Sequence, residues 1–268
     1  MNAEKKDELQ PVFGSLPWGV CPFSAVEKQL LNVRSANRLP DGAKSVLTVL
    51  FPYLLEEKYY TDARLSRYAV PADYHVVCGE ILENICCLLS QKYPENRFVP
   101  FVDASPIPEV QAACLSGLGV KGKNGLLIHK EYGSWVFIGE IVTDLTIEYA
   151  LVAVRSCIGC LACVRACPTG ALTQDGHNAQ RCLSHISQKK KLSAEDELLL
   201  QEHNCLWGCD RCQTVCPMNA NAKTTPISAF RDTASALTRE IEPPRAYAWR
   251  KDAIFRNLSL LDKYTEEL

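Results

Sequence analysis

The segment CIGCLACVRACP, Cys157 to Pro168, spaces four cysteines as C-x2-C-x2-C-x3-C-P. This is the run with which bacterial two-cluster ferredoxins hold [4Fe–4S] clusters. Three thiolates reach one cube from a single tight loop, and the fourth, beside Pro168, is carried toward a second cube. A zinc site would be satisfied by four ligands and would not need the Cys-Pro crossover. The spacing therefore predicts two iron–sulfur clusters and traffic in electrons.

A partial second copy follows. Cys209, Cys212, Cys216 and Pro217 overlay Cys160, Cys163, Cys167 and Pro168, and Leu206 stands where a match to Cys157 would fall. The crossover rule gives a first cluster of Cys157, Cys160, Cys163 and Cys216. The second takes Cys167, Cys209 and Cys212 with either Cys182 or Cys205. Cys182 is favoured because it lies on a separate segment that can approach from the open side. Cys205 would need a strained short loop to share a face with Cys209. Spacing alone leaves both open.

The chain has 14 cysteines in 268 residues, nine of them between 157 and 219. In a secreted miniprotein such density means disulfides. Here the chain is long, its start (MNAEKKDELQ) is charged rather than apolar, and no 18-residue apolar run occurs. The expectation is a cytoplasmic protein with no membrane segment and with reduced, metal-binding thiols. The formal charge of −2 argues against wholesale affinity for nucleic acid. Residues 1–150 carry 14 basic against 18 acidic side chains, and the remainder 15 against 13. Any polyanion contact thus belongs in the second half, where Arg181, Lys189, Lys190, Lys191, Arg245, Arg250, Lys251 and Arg256 are the candidates.

Periodicity supplies the elements of the first half. Residues 1–45 alternate turn formers with a short amphipathic stretch, Ala25 to Arg34. Ser45 to Leu54 reads as a buried strand ended at Pro52. Val77, Ile81, Ile85, Leu88 and Leu89 recur at helical spacing within Tyr74–Gln91, with Cys78, Cys86 and Cys87 as small core residues. Phe98 to Asp103 is a second strand that delivers Asp103 to a loop. Residues 109–119 suggest a helix, Leu126 to Leu145 a hairpin turning at Glu131–Ser134, and Asp252 to Tyr264 a C-terminal helix. The change in composition places a domain boundary near residue 150.

Several stretches together resemble the epoxyqueuosine reductase family: SRYAVPADYH (Ser66–His75), FVDASP (Phe101–Pro106), Gly117–Asp144, and then CIGCLACVRACPTGAL, CLSHIS and GCDRCQTVCPMN in family order. The resemblance covers roughly residues 40–220. It implies an α/β fold, with a cobalamin-binding catalytic domain over 1–150, a double-[4Fe–4S] ferredoxin-like domain over 151–220 and a helical extension over 221–268. It also implies a cobalamin-dependent reductase acting on epoxyqueuosine in tRNA, fed by a donor such as a ferredoxin or flavodoxin, and a monomer. Two readings stand beside it: a related cobamide-dependent reductase of another substrate, and an electron-transfer protein without cobalt. By the resemblance Cys182 is a cluster ligand and Cys205 is spare.

The same comparison makes Asp103 the general acid. It puts Ser66, Tyr74, His75, Asp103, Asn124, Leu127, Ile138, Ser184 and Asp210 beside the corrin. A carboxyl ending an apolar strand loses solvation, so Asp103 is expected to be held protonated near neutral pH.

Overall fold

In the computed structural model the described residues are 3–149, 152–232 and 248–266. The chain opens with α1 (Ala3–Phe13) and β1 (Trp18–Pro22), followed by β2 (Ser45–Pro52), α2 (Tyr74–Lys92), β3 (Phe98–Val102) and α3 (Glu109–Leu115). Two short strands, β4 (Val120–Lys121) and β5 (Leu127–Ile128), precede β6 (Val136–Thr143). The cysteine-rich segment holds α4 (Ala162–Arg165), α5 (Leu183–Gln188), α6 (Ala194–Glu202) and α7 (Arg211–Thr214). Then come α8 (Ser228–Asp232) and α9 (Ala248–Glu266).

β1, β2, β6 and β3 form one sheet in that order, antiparallel throughout. Successive strand residues point to opposite faces, so each strand supplies two cores. One face carries Val20, Leu47, Val49, Phe51 and Ile141 against α2 through Val77, Leu82, Ile85 and Leu89. The other carries Cys21, Val46, Phe101 and Val142 against Ala112 of α3. Of the apolar residues read at helical spacing in Tyr74–Gln91, Val77, Ile85 and Leu89 are buried and Ile81 is half-buried, whereas Leu88 faces outward. Asp73 caps that helix by accepting a 2.8 Å hydrogen bond from the His75 backbone N–H.

Three expectations change. Leu126–Leu145 is not a simple hairpin: β5 pairs with β4, and β6 pairs with β2 and β3. An isolated His129–Gly133 bridge is what remains of the proposed hairpin. With both edges of β6 engaged in the sheet, none is left for β5. The Ala25–Arg34 stretch forms short 3₁₀ turns rather than an amphipathic helix. Cys87, expected in the core with Cys78 and Cys86, is exposed, because it lies on the outward side of α2.

The C-terminal part does not stand apart from the sheet. Phe230 of α8 and Ile227 before it are buried in the core that α2 covers. α9 packs Ala253, Ile254 and Leu261 onto Leu65, Leu206 and Trp207. The proposed boundary near 150 falls at residues 150 and 151, which lie outside the described residues.

A buried polar knot joins the sheet to the cysteine-rich segment. Ser134 N–H donates to Asn219 Oδ1 at 2.8 Å, and Asn219 Nδ2 donates to Ser134 Oγ at 2.9 Å and to the Gln213 carbonyl at 2.8 Å. Ser134 Oγ donates to Gln213 Oε1 at 2.8 Å. Gly133 makes this approach possible. Its φ is +57°, and a Cβ there would lie 2.3 Å from Asn219 Oδ1. Asn219→Ala would strand the buried Ser134 N–H and leave the Gln213 carbonyl with only the Cys216 N–H as donor. It is expected to cost about 1–3 kcal/mol, seen as a lower urea midpoint at unchanged slope.

Candidate functional site

The eight cysteines expected to bind clusters fall into two groups. Cys157, Cys160, Cys163 and Cys216 line one small cavity with Ile158, Leu161, Ile128 and Met218. Cys167, Cys182, Cys209 and Cys212 line a larger one of about 370 Å³. Cys216 thus joins the first run and Cys167 leaves it, which is the crossover read from the Cys-Pro spacing. Within each group the thiols are spread around a space: among the described residues no three His, Cys, Asp or Glu side chains are close enough to share a single metal ion.

Cys205 is absent from both linings. It is buried among Leu183, Ile186 and Leu200, and its thiol donates to the Gly208 carbonyl at 3.1 Å. Cys182 instead sits at the N-terminal cap of α5, at the cavity wall.

The 370 Å³ cavity is in the size range of ligand pockets, and its walls come from both halves of the molecule. Tyr53, Tyr68, Leu126, Val136, Phe137, Leu172 and Leu183 give it an apolar interior. Ser66, Asn124, Ser184, Asp210 and Gln213 add hydroxyl, amide and carboxyl groups. Asp210 is tied across the seam: Ser66 Oγ donates to Oδ1 at 2.6 Å and the Arg67 N–H to Oδ2 at 2.6 Å. Burial pushes the Asp210 pKa up, and these donors offset only part of the rise. The Ser66 loop also bonds to the cysteine segment through Ser66 N–H to the Trp207 carbonyl at 2.8 Å. Gly208 permits the contact, since its φ is +69° and a Cβ there would lie 2.4 Å from Ser66 Cβ.

Of the residues placed beside the corrin by resemblance, the structure gathers Ser66, Asn124, Ser184 and Asp210 at this cavity. Leu127 and Ile138 lie apart from it, packed with Leu50, Ala113 and Cys114 under α3. Ile138 faces α3, and its neighbour Phe137 points the other way and reaches the cavity. Tyr53, Phe137 and Gln213 line the space without any signal in the sequence, because only the tertiary seam brings them there.

Tyr74, His75 and Asp103 form a chain leading to the same wall. Tyr74 stacks on Phe137 at 4.2 Å between ring centroids and on His75 at 4.0 Å. His75 Nδ1 lies 3.0 Å from Asp73 Oδ1, and Nε2 lies 3.1 Å from Asp103 Oδ2. Burial alone would favour neutral imidazole. The two aspartates outweigh it and raise the His75 pKa to about 9.

Asp103 therefore differs from its expected state. Its side chain is 59% exposed, it has a left-handed φ of +57°, and the hydrogen bond from His75 lowers its pKa despite partial burial. The strand does not bury this carboxyl, because the chain turns out of the sheet at Asp103. The proton rests on His75.

Among the basic candidates, Arg181 Nε donates to the Thr169 carbonyl at 3.0 Å and Lys189 pairs with Asp196 at 2.7 Å. Arg256 Nη1 donates to the Lys189 carbonyl at 2.7 Å. These three brace the fold, whereas Lys190 and Lys191 are exposed. Arg245 and the side chains of Arg250 and Lys251 lie outside the described residues. No helix among the described residues is long and apolar enough to cross a membrane.

Comparison with known proteins agrees with this picture. The family model described as "Epoxyqueuosine reductase QueG, DUF1730" matches residues 34–104, and that of a "4Fe-4S double cluster binding domain" matches 156–219. The epoxyqueuosine reductase of Gloeobacter violaceus is 37% identical over 194 residues, covering 71% of this chain and 61% of the relative. That of Cyclobacterium marinum is 35% identical over 198 residues, covering 72% and 64%. The chain thus spans about three fifths of the length of these curated relatives. The epoxyqueuosine reductase structure from Streptococcus thermophilus shares the fold at a TM-score of 0.75 and 24% identity, covering 99% of this chain and 82% of that one. An epoxyqueuosine reductase solved with a tRNA-Tyr epoxyqueuosine-modified stem loop gives 0.71 at 25% identity, covering 96% and 80%.

Two measurements test the site. Cys182→Ser should lower iron from about eight per chain toward four, because each cube needs its full thiolate set, while Cys205→Ser should leave iron unchanged. An NMR titration should find His75 protonated at pH 7 and titrating near 9. The imidazolium is the stabilised form in the folded chain. Its contribution to stability is accordingly complete below pH 6.5 and lost as pH rises through about 9.

Proposed function

The chain belongs to the epoxyqueuosine reductase family, and from that premise we propose that it reduces the epoxide of epoxyqueuosine in tRNA. The observation that carries the reading is the cavity whose wall combines the second thiol set with residues of the sheet half, among them Phe137, on which the Tyr74–His75–Asp103 chain is stacked. The division of labour follows the sequence: 1–150 for catalysis, 151–220 for the clusters, 221–268 for helical support.

The first group of thiols would hold one [4Fe–4S] cluster and the group of Cys167, Cys182, Cys209 and Cys212 the other. The larger cavity fits a cobamide in chemistry. Its apolar walls suit a flat macrocycle, and Ser66, Asn124, Ser184 and Asp210 can bond to peripheral amides. Such a group, when bound, supplies a cobalt centre for two-electron chemistry, fed one electron at a time from the clusters.

Converting the epoxide to an alkene breaks two C–O bonds, forms a C=C bond and releases water, with uptake of two electrons and two protons. His75 and Asp103 hold one of those protons between them at 3.1 Å, and Asp103 is the exposed member that can face substrate. Asp73, capping α2, fixes the other ring nitrogen of His75 and so its orientation. Cys160 is exposed and Ile158 beside it is 67% exposed, which leaves the first cluster open to a small donor such as a ferredoxin or flavodoxin. Among the described basic candidates, Lys190 and Lys191 are exposed and would meet tRNA phosphates, and the proposed working unit is a monomer in the cytoplasm.

Anaerobically reconstituted protein with cobalamin and epoxyqueuosine-containing tRNA should form queuosine, and Asp103→Asn should lower the rate about 10²–10⁴-fold. A flat cobalamin titration by absorbance would contradict the proposal. A cobalamin-loaded but inactive protein would point to a different substrate.

A further inference from the structure

Three stretches of the chain enclose the first set of thiols: residues 117–130, 152–174 and 211–223. None of them contains an aspartate or a glutamate, although the whole chain carries 31. Four of their basic side chains stand at this site, and all are exposed: Lys121, Lys123, Arg155 and Arg165. Each is tied to the thiols by geometry. Lys123 lines the cavity of the first set. The Lys121 carbonyl accepts from the Cys157 N–H at 2.9 Å, and the Lys121 N–H donates to the Arg155 carbonyl at 2.8 Å. Arg165 Nη1 donates to the Cys160 carbonyl at 3.0 Å.

Among the described residues none of the four is in an ion pair. Of the acids next along the chain, Glu131 pairs with Lys223 at 2.7 Å, and Asp210 is held by Ser66 and Arg67. That leaves Glu148 and Asp175 as the exposed ones. A chain of net charge −2 thus gathers a positive surface around one group of thiols.

Apolar side chains are exposed beside the same thiols. Ile158 follows Cys157, Val215 precedes Cys216 and Val154 precedes Arg155, and all three face solvent. An apolar centre within a charged rim is how two protein surfaces attract each other and then exclude water where they touch. Phosphates would meet the cations but gain nothing from the apolar centre, which favours a protein over RNA. Electrons also have one way in. The second thiol set faces the larger cavity, and only the first set includes an exposed cysteine, Cys160.

We propose that this face docks a small acidic one-electron carrier protein, whose carboxylates around its redox group oppose Lys121, Lys123, Arg155 and Arg165. The inference deepens the proposed function and rests on its reading that the first four thiols hold a cluster. In each encounter the carrier is oxidised by one electron and that cluster is reduced by one, with no bond made or broken. Two encounters supply the electrons for one epoxide removal. Contacts of this kind are transient, and an interface below about 1,200 Å² serves them.

The test uses the full chain with its clusters, and an acidic flavodoxin in its hydroquinone form as the probe, without substrate. Bleaching of the cluster absorbance in stopped flow should follow a second-order rate that falls as salt is raised. Lys121→Gln combined with Arg155→Gln should lower that rate about 10-fold. Iron content and circular dichroism should stay as in the wild type, since these two residues bond to the thiol segment through main-chain atoms. The loss should be confined to flavodoxin, with reduction by the methyl viologen radical not slowed. A salt-independent rate, a variant as fast as the wild type, or one slowed equally with viologen would overturn the docking face. Unmodified tRNA in excess should leave the flavodoxin rate unchanged, and inhibition would assign the face to RNA and overturn the proposal. A chain reduced by flavodoxin as expected that forms no queuosine would overturn the substrate reading and keep the carrier.

Discussion

The seam between the sheet and the cysteine-rich segment is the constraint on which the site depends. Ser66 and the Arg67 N–H hold Asp210, and Ser134 is locked to Asn219 and Gln213. Asp210 sits between Cys209 and Cys212, so the hydrogen bonds that satisfy its buried carboxyl also fix two thiols of the second set. Removing one partner would leave a buried charge or dipole without compensation, which costs far more than the bond contributes. Gly133 and Gly208 let the two halves come close enough for these bonds. The cavity exists because both halves wall it.

Environment, rather than residue type, assigns the proton in the proposed catalytic region. Asp103 leaves the sheet in a left-handed turn and meets an imidazolium, which favours its ionised form. Glu140 stays within the sheet, meets no donor and remains an acid. Glu109 lies between these extremes, and burial against the Asp103 charge sets its affinity. Titratable groups whose surroundings push their pKa values apart are how one fold assigns acid and base roles.

The sequence was most legible where spacing is geometry. C-x2-C-x2-C-x3-C-P carries the crossover in itself, and the structure groups Cys216 and Cys167 accordingly. The helical period at Val77, Ile81 and Ile85 and the β-branched run at Ser45–Pro52 were equally plain, since burial of one face or both writes a period. Contacts between distant segments were not legible. Nothing in Leu126–Leu145 says that β6 will pair with β2 and β3 rather than fold back on β5. The protonation of Asp103 depended on one backbone torsion and on a histidine 28 residues earlier. Glu140 did leave a trace, a lone acid inside the apolar run VFIGEIV, but that its carboxyl meets no donor is visible only in three dimensions.

The most direct test of the account is anomalous diffraction at the iron edge from crystals of anaerobically purified protein. The account predicts two separate iron cubes, one bounded by Cys157, Cys160, Cys163 and Cys216. The other would be bounded by Cys167, Cys182, Cys209 and Cys212 and would face the cavity beside Ser66 and Asp210. A single metal atom in either place, a zinc edge in place of iron, or Cys205 bonded where Cys182 is assigned would contradict it.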